Sequence, residues 1–184
     1  PQDAPCPIQD WRQEHAFFSA WQVDEGIHER WQAIRERLAA LPQPRDGFGL
    51  MHNDMHSHNM ILGKGQLTVI DFDVTAYHWF VSDIATGLHS HLMFGHSNRT
   101  DAWDEVAAAF LEPLWSGYCS ENRLDGYWVE RLPLFLEYRE LLLHIVFTGT
   151  WGPDYTDWQK RFLERQRTRI LADKPLVRLP RLVT

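Results

Sequence analysis

The chain has 184 residues, 44% hydrophobic and 23% charged, enough apolar surface to exclude a largely disordered protein and to fit one folded domain over 1–184. With 18 basic against 25 acidic residues and a net charge of −7, it has no basic footprint for nucleic acid and leaves room for a cationic substrate. No apolar run is long enough to span a bilayer, since even Leu141–Phe147 is interrupted by His144.

Residues 1–8, P-Q-D-A-P-C-P-I, read as an extended lead-in. Pro1 in place of Met, with no basic-then-apolar leader, predicts no signal peptide and a chain cut from something longer. Cys6 and Cys119 make no disulfide framework, which fits a reduced, cytoplasmic home. A short helix is predicted over Trp11–Trp21. A second runs over Glu25–Leu41, where Ile27, Trp31, Ile34, Leu38 and Leu41 form one stripe that Pro42 and Pro44 end.

The pattern then changes period. Phe48–Met51 reads as a strand, and Met60–Leu62 with Leu67–Ile70 as a β-hairpin around the turn 63–66. After Tyr77 helices are predicted at 80–94, 101–118, 125–148 and 155–172, with Thr100 or Asp101 capping the second and Asp154 the last. The basic run from Lys160 to Lys174 reads as a solvated helix face. Most of the nine tryptophans are assigned to packing. The order of elements makes an α-rich α+β fold.

Chemistry concentrates in residues 52–73, H-N-D-M-H-S-H-N-M-I-L-G-K-G-Q-L-T-V-I-D-F-D. His52, Asp54 and Asn59 form H-x-D-x-x-x-x-N, and Asp71 ends the second hairpin strand. A hairpin returns the chain to its starting end, so Asp54, Asn59 and Asp71 should converge. Phosphoryl transfer from a nucleotide uses such a set: one carboxylate for the attacking hydroxyl, and hard oxygen ligands that hold Mg²⁺ against the phosphates.

The segment resembles the aminoglycoside phosphotransferase and choline kinase superfamily, protein-kinase-like enzymes that phosphorylate small molecules. Its usual loop reads H-G-D-L-H-x-x-N, followed by a hairpin and I-D-F-D. His52, Asp54, His56 and Asn59 match the loop, Ile70 to Asp73 the second motif, and Asp83-Ile84-Ala85 a later D-I-A. The match is close over 52–85 and one of texture beyond.

This resemblance implies the carboxy-terminal lobe of a kinase-like fold, with a small hairpin carrying the catalytic loop. It implies Asp54 as catalytic base, Asn59 and Asp71 as Mg²⁺ ligands, His52 and Asp83 as loop supports, and Asp73 at metal or substrate. The donor would be ATP or GTP and the acceptor a small-molecule alcohol such as an aminoglycoside or an amino alcohol. A kinase of this type also needs an amino-terminal lobe with a glycine-rich loop and a strand lysine. No lysine precedes Lys64 and the first glycine is Gly26, so that lobe is expected to be missing and the isolated chain inactive. Tyr77, Trp79, Glu137, Glu140, His144, Trp151 and Asp154 are candidates for the acceptor pocket, none assigned to it.

Two alternatives belong to other classes. A non-catalytic, pseudokinase-like binding module should lack one of Asp54, Asn59 and Asp71, and all three are present. A zinc protein would use the histidine runs His52, His56, His58 or His89, His91, His96, in a loop setting that suits zinc poorly.

Overall fold

The structure is a computed structural model, described for residues 8–97, 99–152 and 154–179. Cys6 and nearly all of the predicted lead-in lie outside the described residues, and Cys119 is a free, exposed thiol. Strand β1 (Gln9–Asp10) leads into α1 (Trp11–Ser19). Asp10 accepts from the Arg12 and Gln13 amides at 2.9 and 3.0 Å, and the Gln13 side chain returns to the Asp10 amide at 2.9 Å. This reciprocal cap fixes where the helix starts. Helix α2 (Glu25–Ala39) starts on an Asp24 cap and buries Ile27, Trp31, Ile34 and Leu38. Leu41, read as the end of that stripe, lies two residues past the helix.

Strand β2 (Phe48–Met51) pairs antiparallel with β5 (Ala76–Trp79), in register Phe48 to Trp79 and Met51 to Ala76, and β1 adds to β5 in parallel. The segment A-Y-H-W holds two strand formers, Tyr77 and Trp79, but is too short to show an alternating pattern, and pairing on both sides with β1 and β2 makes it a strand. The hairpin is β3 (Met60–Gly63) on β4 (Gln66–Val69), one residue shifted from the predicted bounds. Its turn residues Lys64 and Gly65 both have positive φ, 50° and 75°, as a tight two-residue hairpin turn requires.

Helix α3 (Val81–Ser90) continues into one wider π turn, His91–Gly95. Helix α4 (Trp103–Glu121) follows a short 3₁₀ turn, Thr100–Ala102. Its cap position is Ala102, so neither Thr100 nor Asp101 caps it as predicted. The stretch 125–148 divides into α5 (Gly126–Val129) and α6 (Leu132–Thr150). Pro133 sits in the first turn of α6, where its missing N–H costs nothing. Helix α7 (Asp157–Leu171) is capped by Thr156, not Asp154: Thr156 and Gln159 bond each other's backbone amides at 3.3 and 2.8 Å.

The core lies where α3, α6, α7 and α2 meet, over the three-stranded sheet. Trp31 is stacked between His15 and Tyr138, with ring centres 4.1 and 5.2 Å away, and Trp79 packs on Trp11 at 5.3 Å. Among the described residues no helix is long and apolar enough to cross a membrane.

The basic face of α7 is not wholly solvated. Arg167 pairs with Asp24 at 3.0 Å, and Arg169 reaches inward to Glu140 on α6, its Nε 2.8 Å from Oε1. The Glu140 side chain is only 5% exposed. A buried carboxylate left without its cation is costly. Arg169→Ala should therefore lower stability by about 3–5 kcal/mol in urea unfolding. Arg169→Met with Glu140→Leu should recover most of that loss, because no lone charge is then buried.

Candidate active site

Strand β2 ends at Met51 and releases the chain into the loop 52–59, which closes where β3 begins. His52 is 5% exposed, and each ring nitrogen has a task. Its Nε2–H donates to the Ile70 carbonyl at 2.8 Å, and its Nδ1 accepts from the Asp54 amide at 3.2 Å. That pair of bonds selects one neutral tautomer. The ring also packs on Phe72 at 4.7 Å, so His52 ties the start of the loop to the far end of the hairpin.

Asn53 holds φ at 68°, a left-handed conformation that Asn adopts more readily than most residues. Its amide donates to Asp83 Oδ1 at 3.0 Å, and its side chain donates to Glu14 and to the Val74 carbonyl. Asn53 stands where the family loop carries glycine, and that replacement is the signal that could have singled it out.

Asp54 is the most heavily bonded member of the loop. Its Oδ1 pairs with Arg139 of α6. Its Oδ2 accepts from His56 Nε2 at 3.2 Å and from Asn59 Nδ2 at 3.3 Å. Asn59 also donates to the Asp54 carbonyl at 2.9 Å, so its amide nitrogen is committed and its amide oxygen is the atom left for a cation. His56 Nδ1 accepts from the His58 amide, which orients Nε2–H toward Asp54.

Asn59 and the hairpin end are joined through the backbone, with the Ile70 amide 3.0 Å from the Asn59 carbonyl. Asp71 follows at once, with φ 68°. A hydrogen bond to Asp73 and its like charge push the Asp71 carboxyl above the usual range, and Asp54 adds to the effect. A divalent cation would relieve that crowding of negative charge, and the carboxylates of Asp71 and Asp73 and the amide oxygen of Asn59 are hard donors of the kind such an ion takes.

Asp83 accepts from the backbone amides of both His52 and Asn53. Burial pushes its carboxyl up to about 6. Glu14 of α1 accepts from the Tyr138 hydroxyl at 2.5 Å and from Asn53, and burial raises its carboxyl too. Sequence reading missed Glu14, Tyr138 and Arg139. The one available signal was a charged pair, Arg139-Glu140, inside the largely apolar run 132–147, which also holds Glu137 and His144.

A cavity of about 430 Å³ opens beside Asp54 and His56, walled by Glu14 and Arg139 and by apolar Phe94, Leu143, Val146 and Phe147. The α6 residues 139, 142, 143, 146 and 147 fall on one face at helical spacing. The predicted pocket candidates lie elsewhere. Trp79 is core, and Tyr77 is on the sheet. Glu137 pairs with Arg37 at 2.6 Å, Glu140 with Arg169, and buried His144 faces Gln166. Trp151 stacks at 4.5 Å on Phe147, behind the cavity wall, and Asp154 does not line it. In the histidine runs His91 and His96 bring their rings to 4.7 Å and His56 and His58 to 5.5 Å, but among the described residues no group of three His, Cys, Asp or Glu could hold a metal.

Asp83 makes a pH signature. An unfolded aspartate titrates near 4, so the folded state holds this proton more tightly. The contribution is fully present below about pH 4 and lost as pH rises through about 6. Asp83→Asn keeps an acceptor oxygen and should flatten the stability profile between those values in urea titrations. Asp83→Ala should cost about 1–3 kcal/mol, because the buried Asn53 amide loses its partner.

Residues 4–127 match the model of a phosphotransferase enzyme family, APH. Amicoumacin kinase of Bacillus subtilis (strain 168) is 31% identical over 142 residues, which are 74% of this chain and 41% of that protein. The solved amicoumacin kinase hAmiN, in complex with AMP-PNP, Ca²⁺ and Ami, superposes with a TM-score of 0.82 at 24% identity, over 94% of this chain and 53% of its own. A microcompartment-associated aminopropanol kinase follows at 0.56 and 19% identity, over 89% of this chain and 54% of its own. A choline/ethanolamine kinase family protein from Mesorhizobium loti gives 0.57 at 14%, over 90% and 54%. The chain thus spans about half the length of these relatives, or less. With the family model matched over more than half of its residues, the chain belongs to the APH phosphotransferase family.

Proposed function

We propose that this chain is the carboxy-terminal lobe of a nucleoside-triphosphate-dependent kinase acting on a hydroxyl of a small molecule, with its place in the cytoplasm. The observation that carries this reading is the closure of the loop 52–59 on the hairpin end. It leaves Asp54 bonded to Asn59 and Asp71 within reach of the Asp54 charge. The ligands of the hAmiN structure, AMP-PNP and Ca²⁺, support a nucleotide and a divalent cation in the parent enzyme.

In this reading Asp54 accepts the proton of the acceptor hydroxyl. That oxygen attacks the γ-phosphorus in line, the bond to the β-phosphate oxygen breaks, and the nucleoside diphosphate leaves. Asn59 and Asp71 would hold Mg²⁺, which supplies neutralisation of phosphate charge. Asp73 stands at the same edge and would meet metal or substrate. His52 and Asp83 hold the loop by the bonds described. The acceptor would lie in the cavity beside Asp54, and the names of the relatives point to amicoumacin-like or amino-alcohol chemistry.

An amino-terminal lobe completes the enzyme. The exposed apolar side chains around the hairpin support it: Leu62 is 76% exposed, Leu67 61%, Phe72 58% and Ile61 53%. An apolar face of this kind marks a surface that is normally covered. The glycine-rich loop and strand lysine would come from that lobe.

In the full-length enzyme, Asp54→Ala should lower transfer from ATP by about 10²–10⁴-fold while nucleotide affinity stays nearly unchanged. Ordinary turnover by that variant would remove Asp54 from the mechanism. The 184-residue chain alone should bind Mg·ATP weakly in calorimetry, since in this reading part of the phosphate-binding groups would come from the amino-terminal lobe. Low-micromolar binding would contradict the need for a second lobe.

A further inference from the structure

Arg139 is an unexpected residue for its position. It projects from α6, a helix with ten buried residues, and its side chain is 11% exposed. The guanidinium crosses to the catalytic loop and pairs with Asp54, 85 positions earlier in the chain. Its Nε is buried with no hydrogen-bond partner among the described residues. A buried cation with an unpaired N–H is a poor stabiliser, and an apolar side chain of similar volume would hold the helix as well or better.

The contacts of Asp54 divide by origin. The Oδ2 atom is bonded by His56 and Asn59, both in the loop itself. The Oδ1 atom is bonded by Arg139, from the rigid helical body. A carboxylate offers about four acceptor directions, and three are filled here. With Oδ2 alone held, the group could swing about that anchor. Holding both oxygens leaves one direction open. The neighbouring Tyr138 reinforces the arrangement by gripping Glu14, which grips Asn53, the residue before Asp54. Burial and hydrogen bonds govern Glu14 and Asp83, the carboxylates on either side of the loop, and the Arg139 charge reaches both as a smaller influence.

We propose that Arg139 is a positioning residue for phosphoryl transfer: by holding Oδ1 of Asp54 it aims the remaining lone pair of the carboxylate at the acceptor hydroxyl in the cavity. The inference rests on the phosphotransferase reading given above. Its role is geometric, because a transition state with little bond formation to the nucleophile needs the base in place more than it needs a strong base.

The test uses the full-length enzyme with ATP, Mg²⁺, and amicoumacin and aminopropanol as trial acceptors. Arg139→Met should unfold at about the same temperature as the unsubstituted protein. Its kcat should fall about a hundredfold, with the KM for ATP within twofold. Arg139→Lys should recover part of the lost kcat, and millimolar methylguanidine should raise the rate of Arg139→Met but not of Asp54→Ala. A kcat within twofold of the unsubstituted enzyme in Arg139→Met overturns the inference while leaving Asp54-dependent transfer intact. So does a loss of folding in both variants, which would assign Arg139 to the fold. A full-length enzyme that transfers phosphate to neither acceptor, with or without Asp54, overturns both this inference and the reading beneath it.

Discussion

The site depends on one backbone closure, the bond between the Ile70 amide and the Asn59 carbonyl. It sits one residue beyond the Met60–Val69 pair and is the last rung of the hairpin. On one side of it stands the loop 52–59, on the other Asp71 and Asp73. The side chain of His52 adds a second tie across the same gap, through the carbonyl of the same Ile70. With both groups of Ile70 engaged, the hairpin end cannot slide relative to the loop without breaking two bonds. Each would leave a buried or part-buried polar group unpaired, at a cost of about 1–3 kcal/mol.

Around that closure the protein keeps several carboxylates out of water, each with named partners. Asp83 bonds two loop amides, Glu14 bonds Tyr138 and Asn53, and Glu140 bonds Arg169. Burial raises the proton affinity of all three. Arginines from α6 and α7 offset part of that penalty. The same helices therefore supply both apolar packing and positive charge that faces the acidic residues near the loop. Electrostatics and packing are coupled here through α6, which contributes Tyr138, Arg139 and Glu140 in succession.

Much of this was legible in the sequence, for different reasons at different places. The loop and hairpin could be read because turn chemistry and oxygen-bearing side chains fall at fixed intervals there. The buried stripe of α2 could be read because its period is unbroken from Ile27 to Leu38. Strand β5 could not, since Ala76–Trp79 owes its conformation to partners distant in sequence. The cavity wall was not legible for a related reason. Helix α6 has polar residues on more than one side, and periodicity does not say which side meets which neighbour. Glu137 and Glu140 turned out to answer Arg37 and Arg169, while Arg139 answers Asp54. Only the placement of α2, α7 and the loop separates these roles.

The β3–β4 hairpin has a consequence for how the protein behaves in a tube. Among the described residues it pairs with no third strand, so both of its edges keep unfilled donors and acceptors beside a greasy face. Such an edge can recruit a copy of itself from another molecule. Concentrated stocks of this chain alone are therefore headed for strand-to-strand clumping, and Lys64, at the hairpin tip, is a local charge that opposes it.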